Sequence, residues 1–311
     1  MYRSERPLTL RGADRHSPSR GSVASRSTVR RDLRVLNRPT IGTYGPERGD
    51  LPLKENLIAI IPAHYPERWP WLQRAIRSAE DADRILVIAD YERPTEPRLT
   101  SKVDWVTVPE LRTTGSKYRR AAELTDSDDI LSIVDDDDWW HPQKVGTVRR
   151  VFGDRPDLQY LAHSGAKVRE DRIVGVLGPT EANASMISVR HRLLDDPRVG
   201  PFFRRLDWGG DSFLRYAPLA AGTSVELLPT TLAYVRYHDT NHTHPPDGYR
   251  NFVEWQRTDS THHLAAWKLI AEMMQPTGRR PIEIDEKIAE FARRIDMSPV
   301  LRMGQYLLRR T

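Results

Sequence analysis

The 311-residue chain contains no cysteine. That absence removes disulfides, thiolate nucleophiles and thiolate zinc sites together, so any metal must be held by oxygen or imidazole. Long hydrophobic runs are missing too: no stretch approaches the ~18 consecutive apolar residues of a membrane span. The N-terminus has too much arginine and too few apolar residues for a secretory signal, which leads us to expect a cytoplasmic protein. Lysine is scarce, 7 residues against 41 arginines. This bias reads as GC-rich coding and points to no function.

What is present is unevenly placed. Residues 1–50 hold eleven arginines against five acids, while the whole chain carries only +5. The basicity therefore belongs to one end. Rich in Arg, Ser, Gly and Pro and without sustained apolar periodicity, residues 1–52 are expected to be a disordered tail. Such a tail is either a solvated extension or a contact arm for an acidic partner such as nucleic acid or anionic lipid.

From residue 53 the pattern changes. "NLIAIIPA" (56–63) is a continuous apolar run of the kind buried on both faces, read as a strand stopped by Pro62. Trp71, Leu72, Ala75, Ile76 and Ala79 then recur at helical spacing, and "RILVIAD" (84–90) is a second strand. Strand, helix, strand makes a right-handed crossover. A strand at 103–109, a helix at 116–124 and a strand at 129–134 continue the alternation, predicting an α/β fold with a mostly parallel sheet flanked by helices. Shorter strands at 158–163, 166–169 and 173–177 suggest a smaller mixed half. A helix near Asp211 and a strand at 225–235 follow, then helices at 250–274, 282–294 and 299–310. We expect one α/β domain over 53–245 and a helical extension over 246–311.

In open parallel sheets ligands bind beyond the carboxyl ends of the strands. Pro62 to Tyr65, Asp90 and Asp135 to Asp138 all fall there. The last group, in "SIVDDDDWWHPQKV", stacks four carboxylates after a buried strand. Like charges so placed repel unless a cation sits among them, and Mg²⁺ or Mn²⁺ typically uses one or two carboxylates plus phosphate oxygens. The plain alternative is an acidic loop in which Asp138 caps the helix that Pro142 opens.

"VDDDDWWHPQKV" resembles the Asp-x-Asp region of family 2 glycosyltransferases with the GT-A fold, and the resemblance extends over about residues 56–243. "TGSKYRRAAEL" is similar to that family's helix carrying basic residues over the nucleotide, and "VGPFFRRLDWGGDSFLRYAPLAAG" to its stretch from Val-Gly-x-Phe to the catalytic acid. The resemblance implies a Rossmann-like nucleotide-binding half, a nucleotide-diphosphate sugar as donor, Mn²⁺ or Mg²⁺ as cofactor, and inverting transfer to an acceptor hydroxyl. It maps Asp135 and Asp137 to the motif acids. Asp135, Asp136, Lys117 and Arg120 become donor contacts with Arg119 beside them, Asp90 a contact to the base, and Asp211 the catalytic base. Pro62, His64 and Tyr65 line the nucleotide pocket, where Tyr65 can stack on a base. "VRYHDTNHTH" resembles the closing segment, so Arg236 would neutralise diphosphate and His238 join Asp137 at the metal. His242 and His244 suit a surface loop better. His262 and His263 read as surface residues of a helix.

Two departures stand out. Gly210 occupies the place where the family has an acid before the aspartate, and "ADYERP" replaces Asp-Asp-Gly-Ser after the second strand. For Asp211, an N-cap role at the head of its helix stands beside the base. Trp139 and Trp140 with Trp208 are candidates for acceptor or sugar contact, or the first two for packing in a bent loop. The C-terminal helices pack on the catalytic unit or join two copies in a homodimer. Family 2 acceptors include glycans, lipids, proteins and modified nucleic acids, so the acceptor stays open. Two other readings remain: a nucleotidyltransferase with the same acidic metal site, and a nucleic-acid-binding protein acting through the basic tail. The first would show a glycine-rich loop after the opening strand, and "PAHYPERWP" has none.

Overall fold

The first strand sets the geometry of everything around it. In the computed structural model, which describes residues 55–95, 101–181, 183–237, 249–278 and 280–308, all seven residues of β1 (Leu57–Ala63) are buried. Alternate side chains of a strand point to opposite faces. Ile58 and Ile60 enter one apolar cluster, Leu57, Ala59 and Ile61 the other. A strand covered on both sides needs apolar residues at every position, which is why the run is continuous. Each isoleucine so buried stabilises the fold by about 1.5–3 kcal/mol.

One face is covered by α1 (Trp69–Ser78) through Leu72, Ala75 and Ile76, and by α3 (Lys144–Asp154) through Val145, Val148 and Phe152. The other is covered by α2 (Thr114–Glu123), α6 (Gly210–Ala221) and the 26-residue α7 (Tyr249–Met274). Among the described residues the sheet has nine strands. β1, β2 (Arg84–Ala89), β3 (Val103–Thr107) and β4 (Ile130–Ile133) are parallel, in the order β3-β2-β1-β4. β8 (Ile187–Arg190) lies antiparallel between β4 and β6 (Leu158–Arg169). Beyond β6 come β9 (Ser224–Arg236), parallel to it, and the two-residue β5 (Trp139–Trp140), antiparallel to β9; β7 (Arg172–Leu177) forms a hairpin with β6. The short helices α4 (Arg192–Asp195) and α5 (Gly200–Phe203) connect β8 to α6. This is the expected layout, a parallel half joined to a mixed half.

Two local expectations are corrected. Pro62 does not stop β1, which pairs through Ala63 with β2. The β1–β4 ladder ends at Ile60–Ile133, so the missing N–H of Pro62 costs no rung there. The strands expected at 158–163 and 166–169 are one element. Gly165 lets it continue, because a Cβ there would meet Met186 Sδ at 2.8 Å, and the register to β9 shifts at the same place. β5 and β8 were not foreseen; two and four residues carry too little periodicity.

The C-terminal helices share the sheet's core. Trp267, Ile270 and Met274 of α7 and Ile284 and Phe291 of α8 (Ile282–Ile295) belong to the cluster that holds Ile58 and Ile60. α9 (Pro299–Leu308) is turned inside out: Arg302 is buried against the carbonyls of Arg294 and Ile295, while Val300, Leu301, Leu307 and Leu308 are exposed. The described residues all belong to one compact unit. The tail at 1–52 and the expected boundary at 245 lie outside the described residues. Among the described residues no helix is long and apolar enough to cross a membrane.

Candidate active site

The four aspartates do four different things. Asp136 extends the β1–β4 ladder: its Oδ2 accepts from the backbone N–H of His64 at 3.0 Å, past the last paired residues. Its Oδ1 accepts from Arg68 Nη1 at 2.9 Å, and the same nitrogen donates to Asp137 Oδ2 at 3.0 Å. Asp138 is anchored from two other elements, by Ser185 Oγ at 2.6 Å and the N–H of Arg236 at 2.7 Å. It caps no helix; α3 starts after Gln143 without a side-chain cap. Ser185 Oγ also accepts from the N–H of Asp135, and Lys144 holds the Ser185 carbonyl at 2.8 Å. Among the described residues no hydrogen bond or ion pair engages the Asp135 carboxylate. Burial, then the charges of Asp138, Asp137 and Asp136, hold its pKa well above the usual carboxylate range. Burial and the charge of Asp137, opposed by Arg68 and the N–H of His64, bring Asp136 to about 6.

Beside this loop stands a second polar group. Thr113 closes a capping box with Ser116 at the head of α2, and Lys117 one turn on is wholly buried. Its ammonium donates to the carbonyl of Ala63 and to His64 Nδ1 at 2.9 Å and lies 3.5 Å from Asp90. With Nδ1 accepting, the His64 proton belongs on Nε2, 3.2 Å from Thr114 Oγ1. Burial lowers the Lys117 pKa to about 8, against the opposing pull of Asp90. The ends of β1, β2 and β4 thus meet as the sequence predicts.

Asp211 lies in the first turn of α6, not at its cap. The cap position is Gly209, left-handed at φ 67° and without a side-chain bond. Asp211 Oδ1 accepts from the N–H of Ser212 at 2.7 Å, and burial raises its pKa. Its charge reaches Asp135 and the buried phenol of Tyr118. The departure at Gly210 has a steric reason: a Cβ there would meet Tyr118 Cε2 at 2.4 Å. Tyr118 fills the room a second acid would need.

Other expected residues are placed less centrally. Arg236 joins the site by donating to the Asp137 carbonyl at 3.1 Å. Arg120 pairs with Glu123 at 2.9 Å on the exposed side of α2, a turn away from the strand ends, and Arg119 bonds the Arg204 carbonyl. Neither joins the group. Trp140 is buried, with Nε1 donating to the Ile133 carbonyl and Lys144 4.2 Å from its ring centroid. Trp139 stacks on Tyr234 and has Arg74 3.5 Å from its ring centroid. Both indoles are therefore engaged in packing. Tyr65 is half-buried with Arg68 4.5 Å over its ring. Trp208 stacks on His262, and His263 on Phe291, so neither histidine is a free surface residue. His238, His242 and His244 lie outside the described residues.

A divalent cation, which the resemblance implies, finds two carboxylates here. Among the described residues no group of three or more acids and histidines forms a ready cage. Mg²⁺ or Mn²⁺ arriving with a diphosphate needs only one or two, the rest of its shell being phosphate and water. Asp135 is unengaged, and the Asp137 side chain is 13 % exposed. That donor set fits an ion bound together with phosphate. Sequence reasoning missed Arg68, Ser185 and Lys144, which hold the loop in place. A lysine six residues past the acids was a signal for Lys144; Arg68 and Ser185 carry none in their local sequence.

No family model and no curated protein matches the chain. Among solved structures it is similar to S. aureus TarS in complex with UDP-GlcNAc, at 14 % identity and TM-score 0.48, over 77 % of this chain and 72 % of that one. GalNAc-T7 with UDP, GalNAc and Mn²⁺ matches at 10 % identity and TM-score 0.46, over 77 % and 58 %. The Francisella tularensis 2-C-methyl-D-erythritol 4-phosphate cytidylyltransferase matches at 14 % identity and TM-score 0.39, over 60 % and 93 %.

Proposed function

We propose that the protein is an inverting glycosyltransferase that moves a sugar from a nucleotide-diphosphate donor to an acceptor hydroxyl. One observation carries the reading: Asp135, an unengaged carboxylate just past β4, sits beside the ends of β1 and β2, and the partly buried Asp211 follows the glycine that packs on Tyr118, next to Lys117 in α2. In this reading Lys117, His64 and Asp90 form the floor of the nucleotide site, and Arg236 offers positive charge to the diphosphate. Asp211 takes the acceptor proton as the new bond forms on the face opposite the leaving group. Its raised pKa suits that task, because a carboxylate of higher pKa is the stronger base. Asp135 and Asp137 would hold Mn²⁺ or Mg²⁺, which when bound supplies charge to stabilise the departing diphosphate.

A thermal-shift screen of nucleotide sugars with and without Mn²⁺ tests this. Metal-dependent stabilisation by one nucleotide series, lost in Asp137→Ala, is the expected result; silence across the series would remove the donor site. Asp211→Asn should keep the donor-induced shift and lose transfer by about 10²–10⁴-fold. Unchanged turnover in that variant would take Asp211 out of the mechanism.

A further inference from the structure

Arg68 already engages Asp137, one of the two carboxylates assigned to the cation. A single nitrogen, Nη1, bridges Asp136 and Asp137 at 2.9 and 3.0 Å, and the three side chains are 8 %, 3 % and 13 % exposed. Asp136 is fixed independently by the N–H of His64. Asp137 is the more accessible of the two and the one assigned to the metal above. We infer that Arg68 is a built-in counter-cation that competes with the divalent ion for Asp137 and yields it when a nucleoside diphosphate arrives. The inference rests on the metal-assisted transfer proposed above.

The physics is that of two cations at one carboxylate. A metal ion bound to Asp137 repels a guanidinium 3 Å from the same group. If the guanidinium turns away with no anion to receive it, a mostly buried charge loses a partner, which opposes the exchange. A diphosphate removes that obstacle. It offers the planar guanidinium a bidentate acceptor and brings the phosphate oxygens that complete the metal's shell. Metal and nucleotide then bind cooperatively, each raising the affinity of the other by the same factor. Arg68 is a positioning residue in this scheme, acting on the metal through Asp137.

The test is Mn²⁺ binding by the full chain, followed through the electron paramagnetic resonance signal of the free ion, with and without UDP or GDP. Arg68→Gln is expected to bind Mn²⁺ alone about tenfold more tightly than wild type and to gain less from nucleotide, within the usual range of such couplings. Arg68→Lys, which restores the charge, should return toward the wild-type value. An arginine that merely props up the loop would give weaker Mn²⁺ binding when removed. Equal or weaker binding by Arg68→Gln, while wild type binds Mn²⁺ with nucleotide, overturns the inference and leaves the proposed function standing. Absence of Mn²⁺ binding by either protein under every condition overturns the metal reading and this inference with it. Circular dichroism checks the fold of the glutamine variant; if it fails, Arg68→Met is read in its place by the same criteria.

Discussion

Lys117 has no exposed surface, yet burial brings its pKa only to about 8 because Asp90, and after it Asp136, support the charge. It is therefore cationic at neutral pH and loses its proton just above. Nucleotide affinity should fall as pH rises through about 8, and Lys117→Met should bind more weakly with that pH step gone. Calorimetric titration with a nucleoside diphosphate at pH 7 and pH 9 measures both, and a flat wild-type profile would count against a role for this ammonium. For folding the sign is reversed. Between about 8 and the ordinary lysine value the unfolded chain binds the extra proton, so the cost of burying Lys117 shrinks as pH rises. Lys117 was legible through its place in a family-like helix. Arg68 was not, because its partners are 68 and 69 residues away and nothing in "PERW" marks them.

At the scale of elements, the head of α6 shows how a departure from a family pattern is absorbed. Gly209 supplies the left-handed turn and Gly210 the space for the Tyr118 ring. Gly210→Ala puts a methyl carbon 2.4 Å from that ring and should destabilise by about 1–3 kcal/mol, as overpacked cores do. Urea unfolding measures it, and combining the change with Tyr118→Ala should recover part of the steric component; strict additivity would deny the contact. The long elements were readable in sequence because their burial repeats: β1, β2, β4 and the three C-terminal helices lie within a few residues of expectation. β5 was hidden because a strand of two tryptophans has no period, and it exists only because β9 offers Tyr234 and Ala233 as partners.

Over the whole molecule, the acidic loop makes stability depend on pH in an unusual direction. Asp136 has a folded-state pKa of about 6, raised first by burial and then by Asp137 against the pull of Arg68. A group raised on folding contributes stability that is full below its unfolded value, 3.8, and is lost as pH rises through about 6. Without metal, wild type should therefore gain on Asp136→Asn as pH drops from 7 to 5. Melting temperatures of the two proteins across that range give the answer, and parallel curves would contradict the shifted titration. Saturating Mn²⁺ with nucleoside diphosphate at pH 7 should raise the wild-type melting temperature, since anything that binds only the folded state stabilises it.

By itself the sequence determined the alternation of buried strands and covering helices, because continuous apolar runs and helical spacing state how many faces of an element meet the core. It also marked Asp135, Lys117 and Asp211 as chemically unusual positions. Only the tertiary structure decided which aspartate is left unengaged, that Arg68 and Ser185 hold the others, and that Trp139 and Trp140 are spent on packing. Those outcomes depend on contacts between residues about fifty to a hundred positions apart, and no local pattern encodes a distance across the fold.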